Sequence, residues 1–171
     1  AAELGAAGID LNFGCPAKTV NRSDGGSIIL RNPERVYEIT AAVRRAVPEQ
    51  VPVTVKTRLG YEDQEQFLDI IQSIEGAGAT EITVHARTKK HGYRPPAYWA
   101  EIARAKAVTQ LPIIANGEIW SVADAQRCQT ITGCDDVMLG RGALCRPDLP
   151  RLVAAANKGL EYESMPWESV L

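Results

Sequence analysis

The chain has 171 residues, 45% of them hydrophobic and 23% charged, with 19 Lys and Arg against 21 Asp and Glu. Those proportions are ordinary for a soluble globular protein. No run of about 18 apolar residues occurs, which excludes a transmembrane helix, and the near-balanced charge leaves nucleic-acid binding to a local patch rather than to overall basicity.

The opening residues, Ala1-Ala-Glu-Leu-Gly5, lack an initiator Met and a signal peptide. They read as the last turn of a helix running into a Gly stop, and they predict a fragment with more chain upstream. Residues 8–12 read as a buried strand. Asn32-Pro33 opens a helix, with Asn as cap and Pro at the first position. Its apolar face is Val36, Ile39, Ala42, Val43 and Ala46, and Pro48 ends it. A second strand spans 51–56, and a helix over 64–76 sets Phe67, Leu68, Ile71 and Ile74 on one side. Strand 81–85, helix 98–108, strand 111–115, helix 122–130, strand 136–139 and a final helix over 149–156 complete the series.

Five strand–helix units in a row, with no hairpin signal, predict an α/β fold with a parallel sheet covered by helices. A doubly wound sheet would bind its ligand at one switch point after a Gly-rich turn. A (β/α)8 TIM barrel would instead carry polar residues at the C-terminal end of strand after strand. The second pattern is present: Asn12 and Cys15, Lys56 and Arg58, His85 and Arg87, Asn116 and Glu118, then Gly140-Arg141. A whole barrel takes about 250 residues in eight units. The expectation is therefore a partial TIM barrel over 1–171, made of its five C-terminal units, with the N-terminal units absent and the sheet edges open.

Four cysteines, Cys15, Cys128, Cys134 and Cys145, form no C-x-x-C pair and have two histidines to join them. Neither a zinc cluster nor a disulfide framework is predicted, and free thiols in a reducing compartment are. Cys128 falls on a helix and reads as structural, while Cys134 and Cys145 receive no role. Cys15 lies in a loop just past a strand end, where a thiol serves as acid or nucleophile or is simply inert and buried.

The turns Ala115-Asn-Gly-Glu118 and Leu139-Gly-Arg-Gly-Ala143 suit a phosphate: glycines admit backbone N–H groups, and Arg141 adds charge. Lys56 sits inside an apolar strand, where it needs an anion or acceptor, and Arg58 points the same way. His85 paired with Arg87 reads as an anion or ring contact. Lys89, Lys90 and Arg94 around Tyr93 make a basic run with one aromatic, suited to phosphate contact and base stacking, or else a solvated loop.

The segment Asp10-Leu-Asn-Phe-Gly-Cys-Pro16, with Lys18-Thr-Val-Asn21 and Gly25-Gly26, resembles the signature of the tRNA dihydrouridine synthases. So do Val55-Lys-Thr-Arg-Leu-Gly60, Val84-His-Ala-Arg-Thr88, Ile114-Ala-Asn-Gly-Glu-Ile119 and Met138-Leu-Gly-Arg-Gly142. Asn116-Gly-Glu-Ile-Trp120 and the 18–21 stretch look most like the bacterial dihydrouridine synthase C branch, which modifies position sixteen of the tRNA D-loop. The resemblance implies a cytoplasmic, FMN-dependent oxidoreductase that uses NADPH and reduces the C5–C6 double bond of uridine. It implies that Cys15 supplies the proton to C5, and that Lys56 contacts the flavin ring with His85 beside it. Asn116, Gly117, Glu118, Gly140 and Arg141 would hold the cofactor, mainly at its phosphate. Asn12 would bind the target uracil with Arg58 as helper, and Tyr93 would meet the tRNA; no metal or membrane is implied. The family's flavin-binding segment on the first strand, a glutamine on a later strand and its C-terminal helical tRNA-binding domain lie outside these 171 residues. The competing readings are an FMN barrel acting on a small pyrimidine, as dihydroorotate dehydrogenase does, and a non-catalytic RNA-binding remnant.

Overall fold

Alternation along five short strands separates an apolar face from a polar one. In this computed structural model, which describes residues 1–166, the strands are β1 (Ile9–Asn12), β2 (Val53–Arg58), β3 (Glu81–His85), β4 (Ile113–Asn116) and β5 (Val137–Met138). They form one parallel sheet in chain order. Successive side chains of a strand point to opposite faces. Val53, Val55 and Thr57, then Ile82 and Val84, then Ile113 and Ala115 are buried. Helices α2 (Pro33–Ala46), α3 (Phe67–Gly76), α4 (Trp99–Lys106), α5 (Val122–Thr132) and α7 (Leu149–Asn157) follow one another along this face, each packed on the next. Phe67, Ile70 and Ile74 of α3 and Ile102 of α4 join the strand residues in one core. The opposite face carries Asp10, Asn12, Thr54, Lys56, Arg58, Thr83, His85 and Asn116, and there the Thr54 hydroxyl donates to Asp10 Oδ1 at 2.7 Å.

The Asn32 cap and Pro33 open α2 as expected, and α5 has a cap and a stop that the sequence reading did not single out. The Asn32 side chain accepts from Arg35 N–H at 3.1 Å beside Pro33 at the first position of α2. Ser121 caps α5 by accepting from Asp124 N–H at 3.1 Å, and Gly133, at φ 67°, ends it. Three short pieces had no signal in the sequence: α1 (Lys18–Arg22), a 3₁₀ turn over Gly26–Arg31 and α6 (Arg141–Cys145). Segments of this length are too short to display a helical period or to stand without tertiary contacts. β5 is shorter than the predicted strand over 136–139, since only Val137 and Met138 pair with β4.

Among the described residues the sheet is not closed: β1 pairs only with β2, and β5 only with β4. It is the partial barrel the sequence predicts. Among the described residues no helix is long and apolar enough to cross a membrane.

Ile82 on the central strand has no exposed surface. Ile82→Ala is expected to cost about 3 kcal/mol of stability, read as a lower urea midpoint with an unchanged slope.

Candidate active site

Parallel register aligns the polar strand ends. Asn12 stands beside Lys56, while Arg58, His85, Asn116 and Met138 form a row from β2 to β5. The loops after the strands add Cys15, Tyr93, Gly117, Glu118, Gly140 and Arg141 around a single cleft. Asn12, Cys15, Lys56, Arg58, His85, Tyr93, Asn116, Gly117, Glu118, Gly140 and Arg141 all border it.

The loop that carries Cys15 is held from both sides. Asn12 Oδ1 accepts from Gly14 N–H at 2.9 Å. Asn21 of α1 donates to the Cys15 carbonyl at 3.0 Å and to that of Gly25 at 2.9 Å, and its own Oδ1 accepts from the Ser27 hydroxyl at 3.0 Å. Arg58 is 2% exposed and braces two loops at once. Its Nε donates to Gly14 O at 2.7 Å, and its Nη1 donates to Thr88 O at 3.3 Å and Gly92 O at 3.2 Å. The cysteine loop is thereby tied to the loop that carries Tyr93. Arg58 is mainly a brace here.

Arg87 differs from the sequence reading. It does not border the cleft, because it points away from the mouth and has no exposed surface. Its guanidinium pairs with the Glu118 carboxylate and donates to Pro96 O at 3.0 Å. Its Nη1 lies 3.4 Å from His85 Nε2. A guanidinium only donates, so Nε2 accepts and the imidazole proton sits on Nδ1. Burial, then the charges of Arg58, Lys56, Arg87 and Arg141, pushes the His85 pKa down to about 3. His85 is a neutral donor at ordinary pH.

Glu118 also borders the cleft, but its carboxylate is occupied. It accepts from Arg87 and, at 2.7 Å, from Trp120 Nε1. Burial acts to raise its pKa; the hydrogen bonds from Arg87 and Trp120 and the charges of Arg87 and Arg141 outweigh it and hold the group below the ordinary range. The turn that brings Glu118 inward needs a glycine before it. Gly117 has φ 121°, and a Cβ there would lie 2.9 Å from His85 Cδ2.

Lys56 donates to Asn116 Oδ1 at 3.4 Å, and Asn116 Nδ2 donates to Met138 O at 2.7 Å. The Asn116 side chain thus orients Lys56 and ties β4 to β5. Burial, together with Arg58, lowers the Lys56 pKa, and Asp10 opposes them. At the other end of the cleft a Cβ on Gly140 would meet nothing within 4 Å. No carbonyl of the described residues accepts from the N–H groups of Arg141 or Gly142. Arg141 lies 5.0 Å from the Trp120 ring and 5.2 Å from that of Tyr93, and its nearest carboxylate, Glu118, is 3.9 Å away. Open space, free N–H groups and a half-exposed guanidinium fit a phosphate.

Trp120 and Met138 border the cleft without having been singled out as site residues. The Trp that follows the Asn-Gly-Glu-Ile run was a usable signal for the first; nothing marks Met138 except its register. Asn21, inside a quoted motif, gave no hint of its three hydrogen bonds. All four cysteines are free thiols. Cys128 is buried and its pKa is pushed up to about 12 by burial and then Cys134, in keeping with a structural residue. Among the described residues no group of three or more His, Cys, Asp or Glu is placed to hold a metal ion.

The sequence profile of the dihydrouridine synthase family matches residues 1–170. A tRNA-dihydrouridine(16) synthase of Pseudomonas syringae pv. tomato is 56% identical over 98% of this chain and 53% of its own length. That of Pseudomonas putida is 50% identical over 100% of this chain and 53% of its own. The chain spans about half the length of the curated relatives it matches. Two solved structures share the fold at low identity. A protein from Burkholderia cenocepacia J2315 assigned as a phosphonomutase has TM-score 0.64 at 19% identity, over 91% of this chain and 68% of its own. A dihydrodipicolinate synthase family protein from Coccidioides immitis has TM-score 0.58 at 18% identity, over 81% and 42%.

His85 makes stability depend on pH. Unfolded, it takes up a proton near its ordinary 6.5, whereas folded it refuses one until about 3. Its contribution is complete above pH 6.5 and is lost as pH falls toward 3. Between pH 7 and 5 the loss is expected to be about 2 kcal/mol. Urea unfolding of the wild type and of His85→Asn at both pH values checks this: the variant is expected to lose most of that dependence.

Proposed function

This chain belongs to the dihydrouridine synthase family, and from that premise we propose that the protein containing it reduces the C5–C6 double bond of uridine in tRNA, at position sixteen of the D-loop. The observation that carries the reading is the cleft itself, where one thiol, one half-buried lysine, a neutral histidine and a turn that fits a phosphate meet beside an exposed tyrosine. A flavin mononucleotide bound there and reduced by NADPH would supply the hydride for C6. Gly140, Arg141 and the N–H groups after them would hold its phosphate, and Lys56 and the Nδ1–H of His85 would be available to its ring. The fit of the turn to a phosphate and the cationic lining support this assignment.

The chain's own residues then supply the proton and the geometry. Cys15 gives its Sγ proton to C5 as hydride reaches C6, so the substrate gains one hydride and one proton, and solvent reprotonates the thiolate. Asn12 offers Nδ2 to a uracil carbonyl, since its Oδ1 already serves Gly14. Tyr93, 54% exposed and 6.0 Å from His85 between ring centroids, offers a stacking face for a base drawn out of its stack. Arg58, Asn116 and Glu118 act through the loops, Lys56 and Arg87 that they hold. Lys89, Lys90 and Arg94 around Tyr93 favour an RNA substrate over a free pyrimidine. We assign residues 1–171 to the catalytic barrel, place the other barrel units and a helical tRNA-binding domain in the remaining length of the protein, and put its work in the cytoplasm with its tRNA.

The full-length protein is expected to be yellow and to form dihydrouridine in unmodified tRNA with NADPH. Cys15→Ala is expected to keep the flavin absorbance and to lose about 10²–10⁴ in turnover. Wild-type turnover in that variant would remove Cys15 as the acid, and product on free uracil or orotate with none on tRNA would move the assignment to a small-molecule reductase.

A further inference from the structure

Beside the cleft, the chain gathers positive charge that its own carboxylates do not neutralise. The Arg31 guanidinium lies 4.4 Å and Lys89 Nζ 4.7 Å from the centroid of the Tyr61 ring. The two charges are therefore held within about one Debye length of each other, where they repel. Tyr61 and Lys89 are shared walls of two shallow clefts, one bordered by Arg31, Glu62 and Lys90, the other by Lys18, Arg22 and Asp24. Glu62 pairs with Arg31 at 2.6 Å, but among the described residues Lys18, Arg22, Lys89 and Lys90 pair with no carboxylate. Five cations against two acids give this patch a net positive charge on a chain whose formal net charge is −2. Such a concentration costs stability in the free protein and is relieved by a polyanion.

We infer that the Tyr61 cluster is a second contact for the RNA substrate, gripping the phosphodiester backbone of the strand that leaves the cleft. The inference rests on the proposed function and names where its substrate runs. RNA is favoured over an acidic protein by the path that the patch takes. Lys18 lies on α1, which Asn21 bolts to the Cys15 carbonyl. Lys89 and Lys90 begin the loop that Arg58 fastens through Thr88 and Gly92 next to Tyr93. The N–H of Lys90 also donates to Tyr61 O at 2.9 Å, which joins that loop to the cluster. Phosphates seated on Lys18, Arg31 and Lys89 thus press on the elements that carry Cys15 and Tyr93. The Tyr61 ring holds both cations beside it.

The test uses the full-length enzyme, unmodified tRNA and a Lys18→Gln/Arg31→Gln double variant, with Glu62→Gln as a separate variant. The double variant is expected to lower the slope of log affinity against log salt by about 1.4–1.8. It should raise KM for tRNA about tenfold and leave kcat at saturating tRNA and the rate of reduction by NADPH within twofold. Glu62→Gln, which removes an acid, is expected to bind tRNA two- to threefold more tightly, an outcome that mere damage to the fold does not produce. A wild-type slope and KM in the double variant overturn the inference, as does a fall in kcat with KM unchanged. The salt slope is a binding measurement, so it is readable even if the wild-type enzyme forms no dihydrouridine, a result that would strike at the proposed activity alone.

Discussion

The buried charge of Arg87 constrains the whole mouth of the sheet. A guanidinium with no exposed surface is costly unless a carboxylate reaches it. Glu118 does so by turning inward, which sets Gly117 and Glu118 at positive φ and presses Gly117 against His85. The same guanidinium donates toward His85 Nε2, and this decides which nitrogen carries the proton. Trp120, held through Glu118 Oε1, then stands beside Arg141. One ion pair at the edge of the cleft therefore shapes three of the residues that line it.

Electrostatics divides the remaining work. Lys56, Arg58 and Arg141 lie around a histidine that cannot share their charge, so the cleft is cationic without a titrating imidazole. A cleft of this kind favours an anion at one end and an electron-rich ring in its middle. The surrounding loops leave little freedom for rearrangement, because the Cys15 loop is tied by Asn21, Asn12 and Arg58 at once. Cys15 thus lies on a loop held at several points, with the half-buried Lys56 lining the same cleft.

Much of this was legible in the residues. The helical and strand periods around Val36, Ile82 and Ile113 located the elements, and β3 has the predicted ends. Polar residues recurring at strand ends pointed to a shared mouth, since a parallel sheet places every C-terminal end on one side. What stayed hidden was which polar atoms remain free. Asn116, Glu118 and Arg58 looked like ligand contacts by type and position, yet their side chains are largely taken up by Lys56, Arg87 and three loop carbonyls. Arg87, two residues beyond His85, looked like its partner at the mouth and lies beneath it. No single sequence spacing reports a hydrogen bond made across 31 or 44 positions.

By itself, the sequence determined the alternation of strands and helices, the polar mouth and the likeness to dihydrouridine synthases, because these follow from local periodicity and contiguous motifs. Only the tertiary structure decided which side chains face the cleft, which brace it, and that His85 is neutral with its proton on Nδ1. Those outcomes depend on desolvation and on partners brought together from distant strands, and neither is encoded in the spacing of residues along one stretch of chain.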